Sequence, residues 1–427
     1  MGARPRAGGG RSGEPPVTSL LGILAIVVGL VVSVGLHELG HLVPAKRFGA
    51  LVPEYAIGFG PALRKWRAGA TEVVLRALPL GGYVRILGMF APGAPNRRRL
   101  TRTGRPTLAE EARIASAEEI PSGLEDHAFY RLAWWRKAIV MAGGPAVNLV
   151  LALVLLVVAM AGIGSPTATL ELASVSPTLE TSSGGARSPA AAAGLEAGDL
   201  IVSVDGAPIT QWSELQAAVA ASSGGVEIGY SRGGAVRTTR VTPVEGADGA
   251  RLIGVAAAVE YRPASASQIL SAYGAIAAGT GAALVRLPMG LWDVAVSLVT
   301  GAPRDGNGLV SIVGVGRIAG EVTGDSAALG ISDARQTIAV LLSLLASLNM
   351  ALGLFNLIPL PPLDGGHIAG ALVEGTRSGI ARLRGRPDPG PVDTARLMPL
   401  TWMVGALLVA MTLLLVVADL VRPIALR

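Results

Sequence analysis

"VVSVGLHELGHLVPAKRFG", residues 31–49, decides how the chain is read. The run is apolar enough to enter a membrane, yet it carries His37, Glu38 and His41. A strongly polar group at bilayer depth is penalised by roughly 2.5–3.5 kcal/mol on insertion scales, so such groups usually face the protein interior and mark function. The spacing supplies a reason for them. His37-Glu38-Leu39-Gly40-His41 is H-E-x-x-H, and on a helix positions i and i+4 share a face, so both histidines can bind one zinc while Glu38 reaches the water beside it. A bland pair of surface histidines would leave three polar groups unsatisfied in lipid, which argues against that alternative.

Composition agrees with a membrane setting. The chain has 427 residues, 51% of them hydrophobic, and a mean hydropathy of +0.52, too apolar for an ordinary soluble protein of this length. Cysteine is absent, so disulfides and thiolate ligands are excluded and any metal must be held by His, Asp or Glu. The net charge of +6 comes without a basic helix interleaved with aromatics or a nucleic-acid module, so anionic lipid headgroups explain the arginines better than nucleic acid does.

Four stretches approach the roughly 20 apolar residues that span a bilayer, and they predict a multi-pass α-helical membrane protein with four transmembrane helices. The expected division is an N-terminal tail over 1–17, the H-E-x-x-H span over 18–44, a loop over 45–136, a second span over 137–163, a third over 337–365, a loop over 366–399, a fourth span over 400–421 and a tail over 422–427. Arg4, Arg6 and Arg11 resemble a signal-peptide start, but the following apolar run is too long and lacks a small-residue cleavage site, so it is retained. Residues 45–137 hold sixteen Lys/Arg against eight Asp/Glu, which predicts a cytoplasmic loop with both termini outside. Residues 261–336 are expected to form amphipathic helices and a linker rather than a fifth span.

Within the first loop, "LVPEYAIGFGPALRKW" and "TEVVLRALPLGGYVRILG" alternate apolar residues around glycines and read as short strands forming a membrane-associated β-loop. Residues 91–126, with "APGAPNRRRLTRTGRP", read as a flexible insertion. Residues 168–260 combine β-patterned runs such as "DLIVSVDG" with the helical "WSELQAAVAAS", an extracytoplasmic α+β domain. Its string "SPAAAAGLEAGDLIVSVDGAPITQWSELQAAV" looks like a PDZ domain of the kind found in bacterial proteases, on the Gly194-Leu195 turn, the Gly198-Asp199 strand entry and the Asp205-Gly206 hairpin. Whether that domain binds peptide C-termini stays open.

A catalytic zinc takes three protein ligands and keeps one position for water. The best-placed third ligand is Asp364, after an apolar span in "LNMALGLFNLIPLPPLDGGHIAG": prolines 359, 361 and 362 prevent continuous helix, and Gly365-Gly366 let the backbone turn. The alternative is a helix cap just outside the membrane. Asn349 and Asn356 could bond between helices, His127 lies in a polar loop, and the role of His367 stays open.

Together these residues resemble the site-2 protease family of intramembrane zinc metalloproteases. The likeness rests on H-E-x-x-H, "GFGP", "PLGGYV", "FYRLAWWRKAIVMAGGPAVNLVLA", the PDZ-like domain and "NLIPLPPLDGG". It covers nearly the whole chain and is closest to actinobacterial members with one PDZ domain. The resemblance implies that His37, His41 and Asp364 bind Zn2+ and that Glu38 is the base. It also implies that Asn356 and the β-loop around Gly81, Gly82 and Tyr83 hold substrate, and that Gly143, Gly144, Pro145 and Asn148 pack and support the site. The implied substrate is a single-span protein such as an anti-sigma factor already trimmed by a first protease, cut in the inner (plasma) membrane toward its cytoplasmic face. Two rival expectations are a membrane PDZ scaffold without proteolysis and a transporter with a broken third helix, which would have no need of Glu38.

Overall fold

The computed structural model describes residues 17–92, 100–181, 184–222, 224–246, 249–302, 304, 308–324 and 333–423. The arginines of the N-terminal tail, residues 93–99 of the expected insertion and residues 424–427 of the C-terminal tail lie outside the described residues. The chain divides into two compact units, Met1–Ala159 with Ala266–Arg427, and Met160–Ser265.

Helix α1 (Val17–Arg47) carries the H-E-x-x-H motif. Its Val/Ile-rich sequence would suit a strand in water; in lipid the backbone must bond within its own segment, which selects helix. The helix stops where Gly49 takes a φ of 83° and the Ala50 N–H donates to the Ala45 carbonyl at 2.9 Å. Strands β1 (Glu54–Ala68) and β2 (Thr71–Arg85) follow, each folded on itself. Residues 54–57 pair with 82–85 on one side and with 72–75 on the other, so 82–85 forms an edge. Tyr55 donates from its hydroxyl to the Gly35 carbonyl at 2.7 Å and ties this sheet to α1; burial pushes its phenol up to about 12.

The expected flexible insertion contains a docked helix, α2 (Leu108–Glu118). Buried Arg113 bonds Asp393, 280 residues away, at 2.8 Å, and Glu119 pairs with Arg85 at 3.0 Å. No local pattern announces such contacts, which is why the sequence reads as loose there. Helix α3 (Trp134–Val157) continues as a wider π turn to Ile163.

The second unit contains β3 (Ser165–Val175), the hairpin β4 (Thr178–Thr181) and β5 (Gly184–Arg187), and the turn α4 (Pro189–Ala192). After these come β6 (Leu200–Val204), β7 (Ala207–Pro208), α5 (Trp212–Ala221), β8 (Val226–Arg232), β9 (Ala235–Val241), β10 (Val244–Glu245), β11 (Arg251–Leu252) and β12 (Val255–Arg262). Its main sheet runs β12-β3-β6-β8-β9, with β7 on β6, around a core of Leu172, Ile201, Leu215 and Ile228. The expected Asp205-Gly206 turn is present, both residues at positive φ.

The chain then returns to the first unit through α6 (Ala266–Val285), α7 (Leu287–Thr300) and α8 (Ile312–Gly324). Tyr273 of α6 donates to the Leu149 carbonyl of α3, α7 packs Val294 against Leu415 and Ala418, and α8 packs Val315 and Ala319 against Ile26 of α1. Helices α9 (Ala334–Asn356), α10 (Asp364–Leu383) and α11 (Met398–Val421) complete it. The stretch 366–399, expected as a loop, is therefore mostly helical.

Among the described residues five helices, not four, are long and apolar enough to cross a membrane: Val17–Arg47, Trp134–Ile163, Ala266–Val285, Ala334–Asn356 and Thr394–Val421. The additional one is α6, whose sequence carries no charge over its 20 residues.

Candidate metal centre

The H-E-x-x-H turn of α1 sets His37 and His41 one above the other, both buried, with Leu39 turned outward and 41% exposed. Asp364 arrives from the far end of the first unit. Helix α9 ends at Asn356, the proline-rich 358–363 cannot continue it, and α10 begins at Asp364 itself. The return is tight: a Cβ on Gly366 would stand 2.6 Å from the Pro361 nitrogen, and one on Gly365 would overlap the Ile358 carbonyl. The cap of α10 is Leu363 and has no side-chain hydrogen bond, so Asp364 is not the cap.

The carboxylate instead turns to the histidines. Asp364 Oδ2 lies 3.4 Å from His37 Nε2 and 3.4 Å from His41 Nε2, which are 3.2 Å apart. Among the described residues this is the group of three whose ligand atoms, all within 4.8 Å of one another, could hold a metal ion. Two imidazole nitrogens and one carboxylate oxygen converging on a point fit zinc. Helix α3 closes the back of the site. His41 Nδ1 is 2.8 Å from the Val140 carbonyl oxygen and His37 Nδ1 is 3.1 Å from the Asn148 amide nitrogen. Gly143 and Gly144 permit this approach, since a Cβ on Gly144 would overlap His41 Nε2 and stand 2.7 Å from His37 Nε2.

A cavity of about 490 Å³ opens beside the three groups and is also lined by Glu38, Gly82, Tyr83, Asn356 and His367. Most of the residues singled out in the sequence therefore meet in one place. Gly81 does not line it; at a φ of 104° it packs against Phe59, where a Cβ would stand 2.8 Å from the ring. Asn349 lies deeper and donates to the Ser33 hydroxyl, and His127 is exposed beside the Gly49 carbonyl. Sequence reading missed the Val84 backbone, which faces the Glu38 carboxylate from edge 82–85. It also missed the cluster that holds this edge: Tyr83 Oη donates to Glu54 at 2.7 Å, and Arg76 donates to both at 2.8 Å. These contacts depend on register within a folded-back sheet, which alternation does not specify.

The model of peptidase family M50 matches residues 25–386. Zinc metalloprotease Rip1 of Mycolicibacterium smegmatis is 33% identical over 435 residues, covering 95% of this chain and 98% of that protein. Zinc metalloprotease Rip1 of Mycobacterium tuberculosis is 33% identical over 433 residues, with the same coverage. Metalloprotease MmpA of Caulobacter vibrioides is 26% identical over 82% of this chain and 84% of its own. A donor set suited to zinc, a family match across most of the sequence and end-to-end likeness to named zinc metalloproteases lead to one conclusion: the chain belongs to peptidase family M50, the site-2 proteases, and is a zinc metalloprotease.

Proposed function

We propose that this protein hydrolyses a peptide bond within the membrane-spanning segment of a single-span regulator, with His37, His41 and Asp364 as zinc ligands and Glu38 as the proton carrier. The observation that carries the reading is the convergence of the three ligand atoms beside a cavity that Glu38 also lines. Bound zinc supplies Lewis acidity, toward water and toward the scissile carbonyl. Glu38 takes the proton of the attacking water and returns it to the leaving amine. Edge 82–85 receives the unwound substrate as an added strand, since its outer side borders the cavity while its inner side is paired. Gly82 keeps the edge close, Gly81 shapes the bend, and Tyr83 and Asn356 face the chain being cut.

Four crossings are proposed, with α6 and α7 forming a pair that enters the membrane and returns. In support, Tyr273 reaches Leu149 in the middle of α3, and Gly301, just after α7, lies against Arg422 beyond the end of α11. Such a pair leaves the count of sides unchanged, so the second unit stays extracytoplasmic and the β-loop cytoplasmic. The membrane is the bacterial inner (plasma) membrane. The second unit is read as a PDZ domain, and the substrate as an anti-sigma factor already shortened by another protease, within regulated intramembrane proteolysis. Comparing the membrane proteome of cells carrying Glu38→Ala with wild type tests this. Single-span fragments, already trimmed outside, should accumulate in the variant; an unchanged set of fragments would defeat the proposal.

A further inference from the structure

The two histidines differ in what faces their outer nitrogens. The group opposite His41 Nδ1 is the Val140 carbonyl oxygen, which only accepts; Nδ1 therefore carries the hydrogen and Nε2 offers its lone pair toward Asp364. The group drawn opposite His37 Nδ1, at 3.1 Å, is the Asn148 amide nitrogen, which only donates. That arrangement puts the His37 hydrogen on Nε2, and a protonated Nε2 cannot ligate. A second observation bears on the same amide. Asn148 is 1% exposed, and its carbonyl oxygen has no hydrogen-bond partner among the described residues. Oxygen and nitrogen of an amide are interchanged by a half-turn, and their assignment follows from the hydrogen-bond network.

We propose that Asn148 is the positioning residue that fixes the tautomer of His37: in the metal-bound protein its carbonyl oxygen faces His37 Nδ1, accepts that N–H, and so commits the Nε2 lone pair to zinc. Helix α3 then serves both ligands in the same way, through a backbone carbonyl at Val140 and a side-chain carbonyl at Asn148, two helical turns apart. The buried amide becomes the orienting partner of a ligand, a role whose loss typically weakens metal binding by about 10–100-fold. The inference rests on His37 being a ligand, and the test separates the two.

Zinc dissociation constants are measured by chelator competition on the full-length protein in detergent, for wild type, Asn148→Asp, Asn148→Leu and His37→Ala. Asn148→Leu should bind zinc about 10–100-fold more weakly, and Asn148→Asp, which keeps an acceptor, should stay near wild type. Equal weakening in both Asn148 variants, or none in Asn148→Leu, overturns the tautomer role. Wild-type affinity in His37→Ala overturns the metal-site reading instead. The chain has 4 histidines, so 15N-histidine spectra of the zinc-loaded protein give a second readout that does not need Asn148→Leu to fold. The His37 Nδ1–H resonance should shift in Asn148→Asp; an unmoved resonance again overturns the proposal.

Discussion

Glu38 and Asp364 are both carboxylates in one cavity, and they answer to different assays. Glu38→Ala should lower turnover by about 10²–10⁴-fold, the usual contribution of a positioned proton carrier, while zinc stays near one per chain. Asp364→Ala should lose zinc and activity together, as metal analysis of the purified variant will report. Gly144→Ala is the sharper case, because the added methyl falls on His41 Nε2 and stands 2.7 Å from His37 Nε2. It should abolish zinc binding although none of the three proposed ligands is replaced. The three proposed ligands were legible in the sequence: H-E-x-x-H is local geometry, and Asp364 stands out because three prolines and two glycines surround it. Their supports were not. Val140 and Asn148 lie 99 and 111 residues from the histidines they face, and an Asn in an apolar helix reads equally well as a link between helices.

At the scale of elements, the β-loop is where a small substitution should separate catalysis from metal binding. A Cβ on Gly82 would stand 2.8 Å from the Ala56 carbonyl oxygen and 3.1 Å from Glu38 Cγ. Gly82→Val should therefore displace the edge and reduce cleavage of a membrane-spanning substrate by about 10²-fold, the effect of misplacing reacting groups by about 1 Å, with zinc content unchanged. Normal cleavage by this variant would remove edge 82–85 from the mechanism. Alternating residues around glycines made the strands legible. Their folding back, with 54–57 paired on both sides, was not, because each local run is compatible with a simple hairpin. Helix α2 escaped for a related reason: its anchor, Arg113 to Asp393, joins two segments that each look polar and solvated.

On the scale of the molecule, the second unit has an acid-sensitive point of its own. Asp199 is 1% exposed, and the Arg232 guanidinium at 2.7 Å holds its carboxyl below the ordinary aspartate range. The unfolded chain thus binds a proton that the folded one refuses, so this pair stabilises the fold above the ordinary aspartate range, and its contribution fades as pH falls through the lowered folded value. Thermal unfolding of the full-length protein should show Asp199→Asn less stable than wild type at neutral pH, with the difference shrinking in acid. A constant difference would assign the effect to packing. Replacing 168–260 by a short Gly/Ser linker should leave zinc in place, since none of the three proposed ligands comes from that unit, and should admit a substrate whose external part has not been trimmed, if the unit filters by bulk. Continued refusal of the untrimmed chain by zinc-loaded protein would reject the filter.

The entry and exit of that unit are bonded to each other, Ala264 N–H to the Met160 carbonyl at 2.9 Å. Two ends that meet make the intervening residues a cassette. Exchanging it for another folded domain with adjoining termini requires only a short loop to close, a modest entropy term at any length. If that unit filters substrates as proposed, the repertoire admitted for cleavage diversifies by transplanting one module, while the proposed ligands, their supports and the edge strand are inherited unchanged.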